Sequence, residues 1–378
     1  MNKKPLVTIH SFGFHYTQTI QDPFGHGGYV FDCRQLPNPG RQKEFEKYSG
    51  FDQPVVEYFE NHPEVHRFYN LTFELVKSHC ENFTARGFEN LFVSFGCTGG
   101  QHRSVYMAER LRNDLAMKGF DTQCIHKERF RWDEAFSHIC RKAFILAAGL
   151  GTRLLPMTKH LPKALVKIGR EPAINLVSKK LIRAGVREII VNTHHLSEQV
   201  ETHLEALRLD CRFKTIYEPE LLDTGGSLKN TDGLWGDEPF FIHNVDIVSE
   251  TNLELLYRYH LASRALVTVV VQERNSASYF VVDSDNRVCG LYESKKGLMD
   301  IRWHPKGPIR HLAFSGIHVV SPNIFNEIKE IGRFSIINLY LRLIGEGFLI
   351  SAYIDKDGFF ADIGKHEGLQ KANEWLQH

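Results

Sequence analysis

The chain is 378 residues long, more than one hydrophobic core usually supports, so two domains are the default. Hydrophobic and charged fractions of 42% and 24% suit a soluble globular protein, and a formal net charge of +1 sets up no field that draws it to nucleic acid or anionic lipid. Cys33, Cys80, Cys97, Cys124, Cys140, Cys211 and Cys289 are odd in number and scattered without a C-x-x-C pair, which argues for a reducing compartment and against a disulfide framework or a cysteine zinc site.

The opening "MNKKPLVTIHSFGF" lacks the apolar core and small-residue cleavage site of a signal peptide, and no apolar run reaches spanning length. A cytoplasmic protein with no membrane partner is expected. "LVTIHSF" reads as a first strand, and "GGYVFDCRQL" as a second, stopped by "PNPG". Helical material runs from about Gln53 to Cys80. "ENLFVSF" is a buried-type strand that leads into "GCTGGQHRS" and a helix through about Lys118, and "DTQCIHKER" is a last strand of this half. The charged segment "FRWDEAFSHICRK", Phe130 to Lys142, is the junction. A second passage then alternates strand and helix through "AFILAAG", "REIIVNTHH", "CRFKTIYEP", "FFIHNVDIV" and "ALVTVVVQE". The alternation predicts an α/β protein of two domains, 1–135 and 142–378, each a mainly parallel sheet flanked by helices, the second Rossmann-like. Ligands collect at loops on the carboxyl ends of such strands.

"FILAAGLGTRLLPMTKHLPKAL", Phe144 to Leu165, is the most informative of these loops. It is not a dinucleotide fingerprint, because Leu154 stands where the third glycine should be, and it lacks the G-K-[ST] of a P-loop. Gly149 and Gly151 free the backbone to curl N–H groups around phosphate oxygens, and Arg153 and Lys163 add two cations on the same loop. Fixed donors with flexible cations suit a triphosphate.

The segment resembles the signature of the sugar-1-phosphate nucleotidyltransferases, the NDP-sugar pyrophosphorylases, through its G-x-G-T-R turn, Pro156, Thr158 and the Pro162–Lys163 pair. The resemblance extends from about Lys142 onward. It implies a nucleotide site formed by Leu146, Ala147, Ala148, Gly149, Gly151 and Thr152, with Asp223, Thr224, Gly225 and Gly226 of "ELLDTGGSL" admitting the base. "HNVDIV" looks like the family's metal-carboxylate strand end and implies Asp246 on Mg²⁺, with Val245 where a glycine is usual. "FFADIGKHEGL" implies Asp362 as second metal ligand, with Phe360 near the usual aromatic position and Lys365 in place of a threonine. "LYESKKG" implies that Glu293 with Lys295 or Lys296 grips the sugar phosphate. "FSGIHVVSP" matches a strand of the compact subfamily that includes the N-acetylmuramate-1-phosphate uridylyltransferases, which favours UTP, while guanylyl and cytidylyl relatives share these motifs.

The implied reaction is in-line attack of a sugar 1-phosphate on the α-phosphate of an NTP, with release of pyrophosphate. Arg153 and Lys163 are the catalytic cations, and charge neutralisation matters more than covalent help. His194, His195 and the other histidines show no metal spacing and read as surface or capping residues.

The first glycine loop, "SFGCTGGQHRS", offers a choice. Cys97, Gly100, Arg103 and Ser104 satisfy C-x-x-G-x-x-R-S, the loop in which a phosphatase thiolate attacks phosphorus, but Gly96 replaces the usual preceding histidine and no general acid stands out. "IHSFGFHYT", "YVFDCRQLPNPG", "SGFDQPVVEYF", "EVHRFYNLTFELV" and "GCTGGQHRSVYMAERL" together resemble the C-terminal domain of RapZ, the RNase adapter protein family, over about residues 5 to 128. That family implies binding of an aminosugar phosphate such as glucosamine 6-phosphate, and in some members RNA. The implied phosphate site is Thr98, Gly99, Gly100, His102 and Arg103, with Ser11, Asp32 and Arg34 from facing strand ends. Gly40 and Arg41 stand where bulkier side chains are expected. A glycine loop entering a helix suits an anion, and Arg103 could add a bidentate contact. RNA gains little support, since this half has no Lys/Arg-rich tail and no aromatic RNA-binding pattern. Two alternatives stand beside the synthase: a regulatory adaptor with an inactive transferase half, and a Cys97-dependent phosphatase fused to the transferase. An aminosugar-phosphate sensor joined to an activated-sugar synthase points to cell-envelope precursor supply.

Overall fold

A computed structural model describes residues 4–17, 22, 25–133, 139–356 and 358–376. The chain divides into two compact units, Met1–Phe136 and Ser137–His378. Within the junction Phe130–Lys142, residues 134–138 lie outside the described residues.

Among its described residues, the first unit carries a four-stranded sheet in the order Gly28–Asp32, Asn90–Cys97, Leu6–Gly13, Thr122–His126, every neighbouring pair parallel. The two inner strands, "NLFVSFGC" and "LVTIHSFG", are buried at all but their first residue. Both of their faces are covered, so their sequences run apolar without alternation. Helix Pro63–Arg86 starts on a proline, whose missing N–H costs nothing in the first turn, and stops at Gly87, which takes φ +76°. Its buried Val65, Tyr69, Thr72, Val76, Cys80 and Phe83 recur every three or four residues, a single stripe against the sheet. Helix Arg103–Met117 follows directly on the glycine loop. The second strand ends at Asp32, earlier than its apolar run suggests, because Cys33–Gln35 turns into a short 3-10 segment that Asp32 caps through the Arg34 N–H.

The second unit is built on one large sheet. Strands Phe240–Asn244, Lys142–Leu146, Glu188–Thr193 and Arg212–Tyr217 are mutually parallel. Beyond Phe240–Asn244 the order continues with Arg310–Val320, Ser278–Val282, Val288–Glu293 and Leu298–Ile301, all antiparallel to their neighbours. Val267–Gln272 also pairs with Arg310–Val320 and takes Ile350–Ile354 as a parallel partner. The parallel half matches expectation. The antiparallel half is a difference: hairpins join Ser278–Val282 to Val288–Glu293 and that strand to Leu298–Ile301, and an apolar run does not encode strand direction. "FFIHNVDIV" is likewise two strands rather than one. After Asn244 the chain breaks at Val245–Asp246 and resumes as Ile247–Ser249, which leaves the sheet to pair antiparallel with Phe360–Asp362.

The core of this unit gathers Phe144, Ile190, Trp235, Phe240, Phe280 and Tyr340, with Trp235 stacked on Phe240 at 3.8 Å between centroids. Each such side chain contributes on the order of 1.5–3 kcal/mol by burial. No helix among the described residues is long and apolar enough to cross a membrane.

Candidate active site

Leu146 stands opposite Asn244 on one neighbouring strand and Asn192 on the other. The crevice at these carboxyl ends is where an α/β sheet of this kind holds its ligand. The backbone turns there through Ala147 and Ala148, both nearly buried, to an open Gly149 and to Gly151 at φ +65°. A Cβ on Gly151 would lie 2.9 Å from the Thr158 methyl, whose own hydroxyl donates to the Gly151 carbonyl at 2.8 Å. Glycine is required twice there, by the dihedral and by the close packing.

Asn192 ties two parts of the expected nucleotide site together. Its carbonyl accepts the Ala147 N–H at 2.7 Å, while its amide donates to Glu218 at 2.8 Å and to the Ser227 hydroxyl at 3.0 Å. Ser227 lies in the short helix Asp223–Lys229. The residues Leu146 to Thr152 and Asp223 to Gly226 are therefore anchored on one buried amide. Asp223 holds a left-handed φ of 59°, and its carboxylate takes the Thr224 N–H at 2.6 Å. Gly225 and Gly226 have a packing reason of their own. A Cβ on Gly225 would lie 2.4 Å from the Phe334 ring, and one on Gly226 2.6 Å from the Gly332 carbonyl.

Four charged residues converge beyond the loop. Lys163 pairs with Asp246, and the Arg153 guanidinium lies 3.9 Å from Asp246 Oδ2 and 3.5 Å from Asp362 Oδ2. The antiparallel pairing that sets Ile247 opposite Asp362, with the Ile363 N–H on the Asp246 carbonyl at 2.9 Å, brings the two acids together. Gly364 marks the space between them: a Cβ there would lie 2.8 Å from Arg153 Nη2, 2.8 Å from Asp246 Oδ2 and 2.9 Å from Asp362 Oδ1. Two hard carboxylates around a gap that only a glycine leaves open fit a divalent cation with oxygen ligands. Lys365, in place of the usual threonine, puts its ammonium 3.8 Å from Asp362 Oδ2. Val245 is accommodated without a glycine's freedom, buried at 1% exposure with its N–H on the Leu146 carbonyl.

Glu293 and Lys296 form an exposed ion pair of 2.6 Å, and Lys295 is exposed beside them. Glu293 opens on a cavity of about 780 Å³ that it shares with Leu291, Arg302, Asn338 and Arg342. None of Arg153, Lys163, Asp246 and Asp362 lines that cavity. Arg274, which no motif flagged, does sit near the acids. It lies 4.0 Å over the Phe360 ring, donates to the Phe314 carbonyl at 2.5 Å, and feels the charge of Asp362.

In the first unit, Thr98, Gly99, Gly100, His102 and Arg103 do form one loop at the start of a helix, but two partners behave otherwise than expected. Ser11 is fully buried, its hydroxyl held by His126 at 2.7 Å. Arg103 is 5% exposed, and its guanidinium is committed to the carbonyls of Arg34 (2.8 Å) and Leu36 (3.2 Å) and to the Thr98 hydroxyl (3.1 Å). It fastens the loop to the Asp32–Arg34 strand end instead of offering a free bidentate fork. Arg34 and Asp32 are exposed and paired at 2.6 Å. His102 hydrogen-bonds the Phe45 carbonyl at 3.1 Å, and burial holds its imidazole below the ordinary range. Gly40 leaves room for that ring, since a Cβ would approach it to 3.2 Å. Cys97 is buried, with its sulfur 3.2 Å from both the Gly100 N–H and the Ser104 hydroxyl, where it braces the loop.

Glu128 lies beneath the same loop. Its carboxyl takes the Gly13 N–H at 2.9 Å and the Thr17 hydroxyl at 3.1 Å, and a Cβ on Gly100 would meet it at 2.6 Å. Burial raises its pKa from the ordinary 4.5 to about 7. The folded state therefore keeps this proton more tightly than the unfolded chain. The stability it represents is complete below pH 4.5 and is lost as pH rises through about 7. Glu128→Gln, which keeps an acceptor for the Gly13 N–H and stays neutral at every pH, removes that loss, worth about 3 kcal/mol at most. Denaturant midpoints of wild type and variant should separate progressively between pH 4.5 and 7, the variant becoming the more stable. Parallel curves across that range would show that Glu128 does not titrate there.

Residues 142–378 match the family model described as nucleotidyl transferase, and residues 5–129 match that of the RapZ C-terminal domain. The chain belongs to the nucleotidyl transferase family. The N-acetylmuramate alpha-1-phosphate uridylyltransferase of Caulobacter vibrioides is 30% identical over 213 residues, 54% of this chain and 85% of that protein. The RNase adapter protein RapZ of Hamiltonella defensa is 35% identical over 125 residues, 33% of this chain, which spans 42% of that relative's length. Among solved structures, the UDP-glucose pyrophosphorylase of Acinetobacter baumannii superposes with a TM-score of 0.53 at 20% identity, over 64% of this chain and 95% of that one, and shows the shared fold.

Proposed function

We propose that residues 142–378 join an NTP and a sugar 1-phosphate to give an NDP-sugar and pyrophosphate, with UTP as the favoured nucleotide, in the cytoplasm. We further propose that residues 1–135 bind a sugar phosphate such as glucosamine 6-phosphate. The observation that carries the first reading is the meeting of Arg153, Lys163, Asp246 and Asp362 around Gly364, at the carboxyl end of the strand that opens the glycine loop. In this reading the loop N–H groups from Ala148 to Thr152 hold the triphosphate. A sugar-phosphate oxygen attacks the α-phosphorus, and the bond to the bridging oxygen of the β-phosphate breaks. No general base is needed, because a phosphate monoester is already ionised near neutral pH. Lys163 neutralises charge gathering on the α-phosphate, and Arg153 the charge on the departing pyrophosphate. Asp246 and Asp362 would hold Mg²⁺, which supplies Lewis-acid neutralisation of the phosphate oxygens.

Support for uridylyl transfer comes from the Caulobacter vibrioides relative, which is named as a uridylyltransferase. Support for the first unit comes from the RapZ match and from the loop of Thr98 to Arg103 at a helix start. The test is pyrophosphate release with Mg²⁺ from a grid of UTP, GTP, CTP, dTTP and ATP against hexosamine and hexose 1-phosphates. The expected result is release with UTP exceeding the other nucleotides. Silence across the whole grid would leave the transferase half inactive and favour the adaptor. Calorimetric titration of the full chain with glucosamine 6-phosphate tests the other half, where absence of heat removes the sensor reading.

A further inference from the structure

Glu109, Cys124 and His126 lie together in the first unit with their ligand atoms all within 4.8 Å of one another. Cys124 and His126 are two apart on strand Thr122–His126 and so share a face. Glu109 comes down on that face from helix Arg103–Met117. His126 Nε2 is 2.9 Å from Glu109 Oε1 and 3.9 Å from the Cys124 sulfur. We propose that these three residues bind a zinc-class divalent cation, a site separate from the Asp246–Asp362 pair.

Three features of the geometry support this. A tetrahedral zinc with bonds of about 2.0–2.3 Å needs ligand atoms about 3.3–3.6 Å apart, so the two spacings above bracket the requirement and small side-chain rotations meet it. The donor set of one thiolate, one imidazole and one carboxylate suits zinc or cobalt and does not suit magnesium or calcium. Behind the imidazole, the buried Ser11 hydroxyl sits 2.7 Å from His126 Nδ1. It can accept the Nδ1 proton and leave the Nε2 lone pair directed at Glu109 and Cys124, the outer-shell arrangement that orients a metal-binding histidine.

The surroundings are compatible. Arg112 holds Glu109 Oε2 at 2.8 Å, which leaves Oε1 as a single-oxygen ligand. The rings of Phe51 and Trp132 lie 6.0 and 6.4 Å from the imidazole and partly shield it from solvent. Three protein ligands leave a fourth position for water or an anionic ligand oxygen. This reading also revises the expectation that no cysteine here ligates metal: the ligands come from a strand and a helix, and no C-x-x-C spacing is involved.

The probe is Co²⁺ added to the full chain after chelator treatment. A thiolate–cobalt charge-transfer band with the visible bands of a tetrahedral ion is expected at one equivalent, and Zn²⁺ should bleach both. The carboxylate pair of the second unit cannot give the thiolate band, so Mg²⁺-type binding there is told apart. Cys124→Ser should abolish the band, Ser11→Ala should weaken Zn²⁺ binding by about 10–100-fold, and Cys211→Ser should change nothing. Absence of the band in the wild type, or its persistence in Cys124→Ser, overturns the proposal and leaves a hydrogen-bonded Ser–His–Glu network only. Should Cys124→Ser fail to fold, the affinity of Ser11→Ala decides: undiminished binding refutes the site.

Discussion

Lys163→Ala is expected to lower the turnover of nucleotidyl transfer by about 10²–10³, the loss typical of removing a charge aimed at a transition-state oxygen. Lys163 is mostly buried and pairs with Asp246, which is 7% exposed. The variant therefore has a second signature. Without the lysine, the buried carboxylate keeps Arg153, 3.9 Å away, as its opposing charge among the described residues, and a poorly compensated buried acid destabilises by a few kcal/mol. A divalent ion restores that charge balance, so the variant should lose thermal stability in chelator and regain it with Mg²⁺, while turnover stays low. A stability defect that Mg²⁺ repairs, together with a rate defect that it does not, separates the two roles of this lysine. Turnover within roughly tenfold of wild type, a barrier change of only about 1.4 kcal/mol, would remove Lys163 from the chemistry.

Gly364→Ala is the more exacting test, since it alters no functional group. Its backbone is not in the left-handed region, so alanine fits the chain. The added methyl group would come within 2.8–2.9 Å of Arg153, Asp246 and Asp362 at once, and those side-chain ends must move apart. A displacement of this size in a positioned charge cluster costs about 10² in rate, and the Mg²⁺ concentration for half-maximal activity should rise at least about tenfold as the two carboxylates lose their common geometry. The melting temperature should change little. A variant with an unchanged Mg²⁺ dependence would show that the acids do not act as one ion site.

The glycine loop was legible because its chemistry and its backbone requirements lie in consecutive residues. Gly149, Gly151, Arg153 and Lys163 could be read in one line, and the short-range contacts of Gly151 with Thr158 explain their spacing. Asp246 and Asp362 could be picked out one by one from a family pattern, but not their meeting. That depends on the break at Val245–Asp246 and on the pairing of Ile247–Ser249 with Phe360–Asp362, neither of which periodicity encodes. The reverse failure occurs in the first unit. Ser11 and Arg103 are the right residue types for an anion, yet the Ser11 hydroxyl is held by His126 and both Arg103 Nη atoms already donate within the protein, to main-chain carbonyls and to the Thr98 hydroxyl. Sequence reports which groups could bind phosphate, and only the fold reports which are already occupied. Asn192, Glu128 and Arg274 escaped notice for a related reason, as each acts from a different segment than the loop it supports. A polar Asn192 closing the apolar run "EIIV" was the one signal in plain view.

The strand that delivers Asp362 has a bearing on biosynthesis. Arg153 and Asp362 are 209 positions apart, whereas every strand of the large sheet is complete by Ile354. A nascent chain can thus finish its sheet and its triphosphate loop while holding a single acid. The meeting of Asp246 and Asp362 therefore depends on the small antiparallel pair of Ile247–Ser249 with Phe360–Asp362, which forms outside the large sheet and can loosen without unravelling it.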